Sequence, residues 1–211
     1  MTRSALAGAT GLVGSALLRL LLEDPEVERV IAPTRRVLST HPRLDNPVGS
    51  VWPPGPRVDE AYGCLGTTRK DAGSDAAFRA VDLGLTLAFA RAAREAGATR
   101  FGLVSSVGAD AGSRLLYPRT KGEAEAEVAA LGFSSVVIVR PSLLLGKRAK
   151  PRAAEAVSEP VLKLLSPLLV GPLRKYRAIE GEAVARALRR LLRDAKPGVS
   201  VFESDAVAAA A

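Results

Sequence analysis

Ser4-Ala5-Leu6-Ala7-Gly8-Ala9-Thr10-Gly11-Leu12-Val13-Gly14-Ser15-Ala16-Leu17-Leu18 stands at the head of the chain, and its reading decides the fold. An apolar strand over residues 4–7 runs into Gly8-Ala9-Thr10-Gly11-Leu12-Val13-Gly14, a G-x-x-G-x-x-G turn, and on into an apolar helix over 12–23. Glycines permit a tight turn and let the backbone approach a pyrophosphate closely. The helix behind them offers unpaired N–H groups and a partial positive charge. Strand, glycine turn and helix in that order predict a dinucleotide site that uses Gly8, Thr10, Gly11, Leu12, Val13 and Gly14.

The same alternation continues outward. Strand-like runs fall at 27–32, 61–65, 101–104, 136–139 and 199–202, with helix-like stretches at 75–96, 117–131 and 180–194. Near-continuous apolar strands alternating with helices predict an α/β doubly wound (Rossmann) parallel sheet covered on both faces. Gly97 and Gly132 stand where helix C-caps are expected. The proline-rich stretch 42–57 argues for a short or missing third strand, because proline withholds ladder donors. The alanine-rich end, 206–211, is expected to fray.

Length and composition set the outer limits. The 211 residues are about 1.4 times a typical domain, so one domain over 1–211 is expected, with a small C-terminal substrate-side cap at 151–176. One Cys and one His exclude a disulfide framework and a Cys/His zinc site, so no metal is expected. Thirty Lys+Arg against 22 Asp+Glu give a net +8, which admits phosphate-bearing partners. Nine aromatics (five Phe, three Tyr, one Trp) are too few for a base-stacking surface, and nucleic acid is not expected. The apolar stretches 17–22 and 161–173 are short and interrupted, so no membrane span is expected. No secretory leader precedes Gly8, which together with the single thiol leads to a cytoplasmic expectation.

Two further patterns carry chemistry. After the second strand stand Arg35 and Arg36, with no acid before Asp45. An NAD site tends to place a carboxylate there for the ribose 2′-OH, whereas two guanidiniums suit a 2′-phosphate, so NADPH is favoured over NADH. Tyr117-Pro118-Arg119-Thr120-Lys121 is a Y-x-x-x-K whose ends share a helix face. An ammonium near a phenol favours the phenolate, which equips the pair for proton transfer. Ser105 and Ser106 end the strand upstream, where a hydroxyl can bond a substrate oxygen. Cys64 reads as a buried small hydrophobe. The cluster Lys147, Arg148, Lys150 and Arg152 reads as a solvated loop or a phosphate grip.

With these elements in order the chain resembles the short-chain dehydrogenase/reductase superfamily, in its atypical, epimerase-like branch. Cys64-Leu65-Gly66-Thr67-Thr68-Arg69, Ser105-Ser106-Val107-Gly108-Ala109-Asp110, Tyr117 to Lys121-Gly122-Glu123 and Arg140-Pro141-Ser142 look like the Tat-interacting oxidoreductase family and its bacterial relatives. The resemblance implies that Leu65 and Gly66 line the adenosine side of the cofactor. It implies that Tyr117 donates or accepts the proton while Lys121 holds the nicotinamide ribose. Pro141, Leu143 and Leu144 would flank the nicotinamide, Arg152 would lie close to the cofactor, and Ser106 or Ser105 would orient substrate. Where the superfamily often has Asn, this chain has Asp82, either disturbing the proton relay or bonding Lys121 directly. The expected activity is NADPH-dependent oxidation or reduction of a small carbonyl/alcohol substrate, in a possible homodimer. The other reading is an NADPH-binding sensor with little turnover.

Overall fold

The computed structural model describes residues 1–49, 57–146 and 169–211. Arg152, the cluster at 147–150 and most of the expected cap at 151–176 therefore lie outside the described residues, as does 50–56 of the proline-rich stretch.

Among the described residues seven strands form one parallel sheet in the order β3-β2-β1-β4-β5-β6-β9. They are β1 Thr2–Ala7, β2 Val27–Ile31, β3 Leu44–Asp45, β4 Glu60–Gly63, β5 Arg100–Val104, β6 Ser135–Arg140 and β9 Gly198–Glu203. A second, two-stranded sheet pairs β7 Leu144–Leu145 with β8 Ile179–Glu180. The helices are α1 Leu12–Glu23, α2 Arg69–Ala72, α3 Asp75–Arg79, α4 Thr86–Glu95, α5 Leu116–Ala129, α6 Gly181–Arg193 and α7 Ser204–Ala209. This is the doubly wound α/β architecture that the alternating pattern predicts.

Period-two alternation sorts the strands onto two cores. Leu6, Val137 and Val139 point to one face and pack with Leu17 and Leu21 of α1 and Leu188 and Leu192 of α6. Ala5, Ala7, Val136 and Ile138 point to the other, against Ala90 and Ala93 of α4 and Val128 of α5. The helices stop where their sequences require it. Gly97 and Gly132 take φ of 99° and 76°, values that glycine alone adopts without strain.

The third strand is short, as the proline-rich stretch predicts: Leu44–Asp45, two residues at the edge of the sheet. Two details depart from expectation. The C-terminal segment does not simply fray: Ser204–Ala209 form α7, and Ser204 and Val207 are buried. The helix expected at 75–96 changes hand-hold midway, because Ala80–Leu85 form a π-helical turn between α3 and α4. Such i→i+5 turns are rare and concentrate at functional sites.

Candidate functional site

The glycine turn is held by contacts that exclude any side chain. Gly8 has φ 84°, and a Cβ there would fall 2.4 Å from the Cys64 carbonyl oxygen. A Cβ on Gly14 would fall 2.1 Å from the Gly8 oxygen. Gly11 caps α1 without a side-chain hydrogen bond, so the first-turn N–H groups keep their capacity for an anion. Val13 is buried in the core, and Leu12 seats against Gly181, where a Cβ would approach its Cγ to 2.6 Å. Of the predicted turn residues, Leu12, Val13 and Gly14 thus shape the turn, while Gly8 and Thr10 border an open space.

That space is a cavity of about 590 Å³ lined by Gly8, Thr10, Thr34, Arg35, Arg36, Leu65, Leu85, Ala88 and Ala92, among others. Arg35 and Arg36 are exposed at its wall, and the Thr34 hydroxyl donates to the Arg36 carbonyl at 2.5 Å. Asn46 in turn donates to the Ala32 carbonyl and to Thr34 Oγ1, both at 2.7 Å. Leu85, Ala88 and Ala92 supply an apolar wall. Their spacing of three and four is the one signal in the sequence that marks a shared helix face, and sequence reasoning missed it. An apolar slot beside two guanidiniums and an uncapped helix N-terminus fits a dinucleotide with its phosphates.

The second group of predicted residues gathers beyond the ends of β4, β5 and β6. Lys121 on α5 is buried, and its Nζ lies 2.6 Å from Oδ1 of Asp82 on the π-helical turn. Asp82 Oδ2 accepts from the Thr67 N–H at 2.8 Å. A Cβ on Gly66 would lie 3.6 Å from Lys121 Nζ and 3.7 Å from Asp82 Oδ1, so the loop after β4 touches this pair. Of the two alternatives the sequence leaves open for Asp82, the direct bond to Lys121 is the one adopted. Tyr117 is half-exposed and stacks its ring on Phe78 with centroids 5.6 Å apart. Ser105 is buried, and its hydroxyl has no partner among the described residues. Ser106 is partly exposed, with a single long contact of 3.4 Å from its hydroxyl to the Val107 carbonyl.

The loop from Ser105 to Asp110 is fastened at both ends. The Val107 N–H donates to the Pro141 carbonyl at 3.0 Å, and the Asp110 N–H to the Pro118 carbonyl at 2.9 Å. Leu143 accepts from the Ile179 N–H at 3.0 Å, and Leu144 packs partly buried on the core beside α1 and α6. Cys64 stands just past β4 and not inside it. The residue keeps some exposed surface, but burial around Sγ governs its titration and pushes the thiol up to about 12. It is therefore an apolar contact and not a nucleophile.

A mitochondrial FMP52 protein of Debaryomyces hansenii is 35% identical over 191 residues, covering 86% of this chain and 83% of the relative. Its counterpart in Aspergillus fumigatus is 38% identical over 218 residues, covering 94% and 92%. No protein-family model matches the chain. Among solved structures, MoeE5 in complex with UDP-glucose and NAD superposes with a TM-score of 0.70 at 19% identity, over 94% of this chain and 74% of MoeE5. The human epimerase family protein SDR39U1 with NADPH gives 0.64 at 19% identity, over 95% and 74%. These structural likenesses establish the Rossmann-like fold.

The relatives' names also correct one expectation. Both fungal proteins are named mitochondrial, which overturns the cytoplasmic location. That inference rested on a missing secretory leader and a lone thiol, and neither feature separates the cytosol from the inside of an organelle. Among the described residues no helix is long and apolar enough to cross a membrane.

Proposed function

The chain belongs to the FMP52 family, and from that premise we propose that it is an NADPH-dependent oxidoreductase acting on a small carbonyl or alcohol. The observation that carries the reading is the cavity that joins Gly8 and Thr10 to Arg35 and Arg36 across an apolar slot. The nicotinamide ligands of MoeE5 and SDR39U1, which share the fold, support a cofactor of this class. The resemblance to the Tat-interacting oxidoreductases supports the same class of chemistry. The chain would act as one Rossmann domain over 1–211. As in the named relatives, a mitochondrial location is proposed.

When bound, the cofactor supplies hydride to a carbonyl carbon. Its pyrophosphate would rest on the free N–H groups at the start of α1, and its 2′-phosphate on Arg35 and Arg36. Leu65, with Leu85, Ala88 and Ala92, would hold the adenosine in the slot. Tyr117 would give its phenolic proton to the substrate oxygen, and its half-exposed ring leaves the hydroxyl accessible to do so. Ser106 would bond the same oxygen. It is favoured over Ser105 because it retains exposure at the strand end while Ser105 is closed in. Lys121 would hold the ribose, and Pro141, Leu143 and Leu144 would bound the nicotinamide.

The test is NADPH consumption by the purified protein across a panel of aldehydes and ketones, beside Tyr117→Phe. Removing the proton donor should lower turnover by about 10²–10⁴-fold while NADPH binding, read by its fluorescence, stays intact. Equal turnover in the variant on every substrate would end the enzyme reading. The alternative is an NADPH sensor with little turnover, and one observation favours it: the Lys121 ammonium is already engaged by Asp82 at 2.6 Å. A sensor would bind NADPH and consume it with no member of the panel.

A further inference from the structure

Asp82 is 1% exposed, yet it sits on a helix beside an acid-free apolar stretch, Leu83-Gly84-Leu85. The π-helical turn Ala80–Leu85 adds a residue to the helical repeat and so re-aims the side chains on it. Two residues of that turn take different tasks: Leu85 lines the cavity, and Asp82 meets Lys121. The carboxylate has both oxygens committed, Oδ1 beside Lys121 Nζ at 2.6 Å and Oδ2 to the Thr67 N–H at 2.8 Å.

We propose that Asp82 is a positioning residue whose buried carboxylate serves as the counter-charge of Lys121, aiming its ammonium and setting how far that charge acts on Tyr117. This rests on the oxidoreductase reading above. A buried lysine and a buried carboxylate are each costly alone and tolerable together. Asp82 Oδ1 faces the ammonium as a close ion pair rather than through a hydrogen bond, which leaves the three donors of Lys121 for a ribose and for the tyrosine side of the site. The pair is neutral overall, so Tyr117 sees a cation largely compensated by its neighbour.

The other charged groups on the elements about Tyr117 are Asp75 and Arg79 of α3, Arg119, Glu123, Glu125 and Glu127 of α5, and Asp110 and Arg114 in the preceding loop. Glu123 lies 2.7 Å from Arg79 and 3.9 Å from Arg119. None of these is altered by the substitutions below, so their influence is common to every protein compared.

The experiment follows the Tyr117 phenol by NMR of protein carrying 13Cζ-labelled tyrosine, with Tyr117→Phe assigning its signal among the three tyrosines. Asp82→Asn keeps an acceptor for Thr67 and removes the charge, leaving Lys121 uncompensated. Its Tyr117 should form phenolate at a pH lower by about one unit. Lys121→Met, which strands the carboxylate, should move it about as far the other way. The double variant should return close to wild type.

An Asp82→Asn profile superimposable on wild type, with Lys121→Met still shifted, overturns the role of Asp82 and leaves the Tyr-Lys reading standing. No shift in Lys121→Met either would remove the Tyr-Lys coupling itself. If Asp82→Asn fails to fold, the comparison passes to Lys121→Met against the double variant. A difference between those two supports the proposal, and identity overturns it.

Discussion

Arg35 and Arg36 show how much two side chains decide. They are exposed at the wall of the cavity, on a turn stiffened by Thr34 and Asn46. A carboxylate here would repel a 2′-phosphate, whereas two guanidiniums accept it through charge-assisted bonds. Such bonds contribute about 1.5–3 kcal/mol each, so replacing both arginines by Ala should weaken NADPH binding by at least about tenfold more than NADH binding. Fluorescence titration with the two cofactors measures this directly, and equal losses would remove the 2′-phosphate argument. The pair stands out in the sequence because no acid follows the second strand before Asp45. Asp82 was legible as a departure with two readings open, because a partner 39 positions away on another helix leaves no local signature.

At the scale of elements, α5 illustrates a glycine whose reason is outside its own helix. A Cβ on Gly122 would lie 2.1 Å from the Ala111 nitrogen and 2.3 Å from the Asp110 carbonyl carbon, both rigid backbone. Helix propensity alone favours Gly→Ala by about 1 kcal/mol. The collision should outweigh that gain, so Gly122→Ala is expected to lower stability by about 1–3 kcal/mol. A higher urea midpoint in the variant would show that α5 and the 105–110 loop pack less closely than described. It should also disturb Tyr117 and Lys121, because the same helix carries all three. The helix was plain from its pattern. The π-helical turn was not, because a single extra residue per turn leaves no periodic trace in six residues. Helix α7 was missed for a related reason: an alanine run reads as fraying until Ser204 and Val207 find a surface to be buried on.

The molecule as a whole has two ends with opposite tasks. At the carboxyl ends of the strands lie the cavity and the Tyr117 group. At the amino ends Glu60, fully buried, accepts from Ser4 at 2.7 Å, Tyr62 at 3.0 Å, Arg100 at 3.1 Å and Arg189 at 3.2 Å. Arg189 also reaches Asp24 at 2.9 Å. Burial, together with the Glu60 charge, holds the Tyr62 phenol well above its ordinary range. Arg189→Met should cost about 3–5 kcal/mol, because it deprives a buried carboxylate of a principal partner. Chemical denaturation reads that loss, and a cost below about 1 kcal/mol would mean that Arg100 alone suffices.

The pH dependence has a definite sign. Burial alone would raise Asp24, but the Glu26 N–H and Arg189 outweigh it and hold the carboxyl below its usual value. Its share of stability is complete above the ordinary carboxylate range. It is lost as pH falls below about 4 through the depressed value, and Arg189→Met should flatten that loss.

What the sequence by itself determined is the alternation of strands and helices, the glycine turn at the head of α1, and the residue types posted at the strand ends. Those are local properties, set by periodicity, backbone freedom and side-chain chemistry within a few residues. Only the tertiary structure decided that Asp82 meets Lys121, that Leu85, Ala88 and Ala92 wall the cavity, and that Glu60 gathers two arginines. Each of those depends on which elements the sheet order brings side by side, and a buried charge is tolerable only where a partner from a distant part of the chain arrives to meet it.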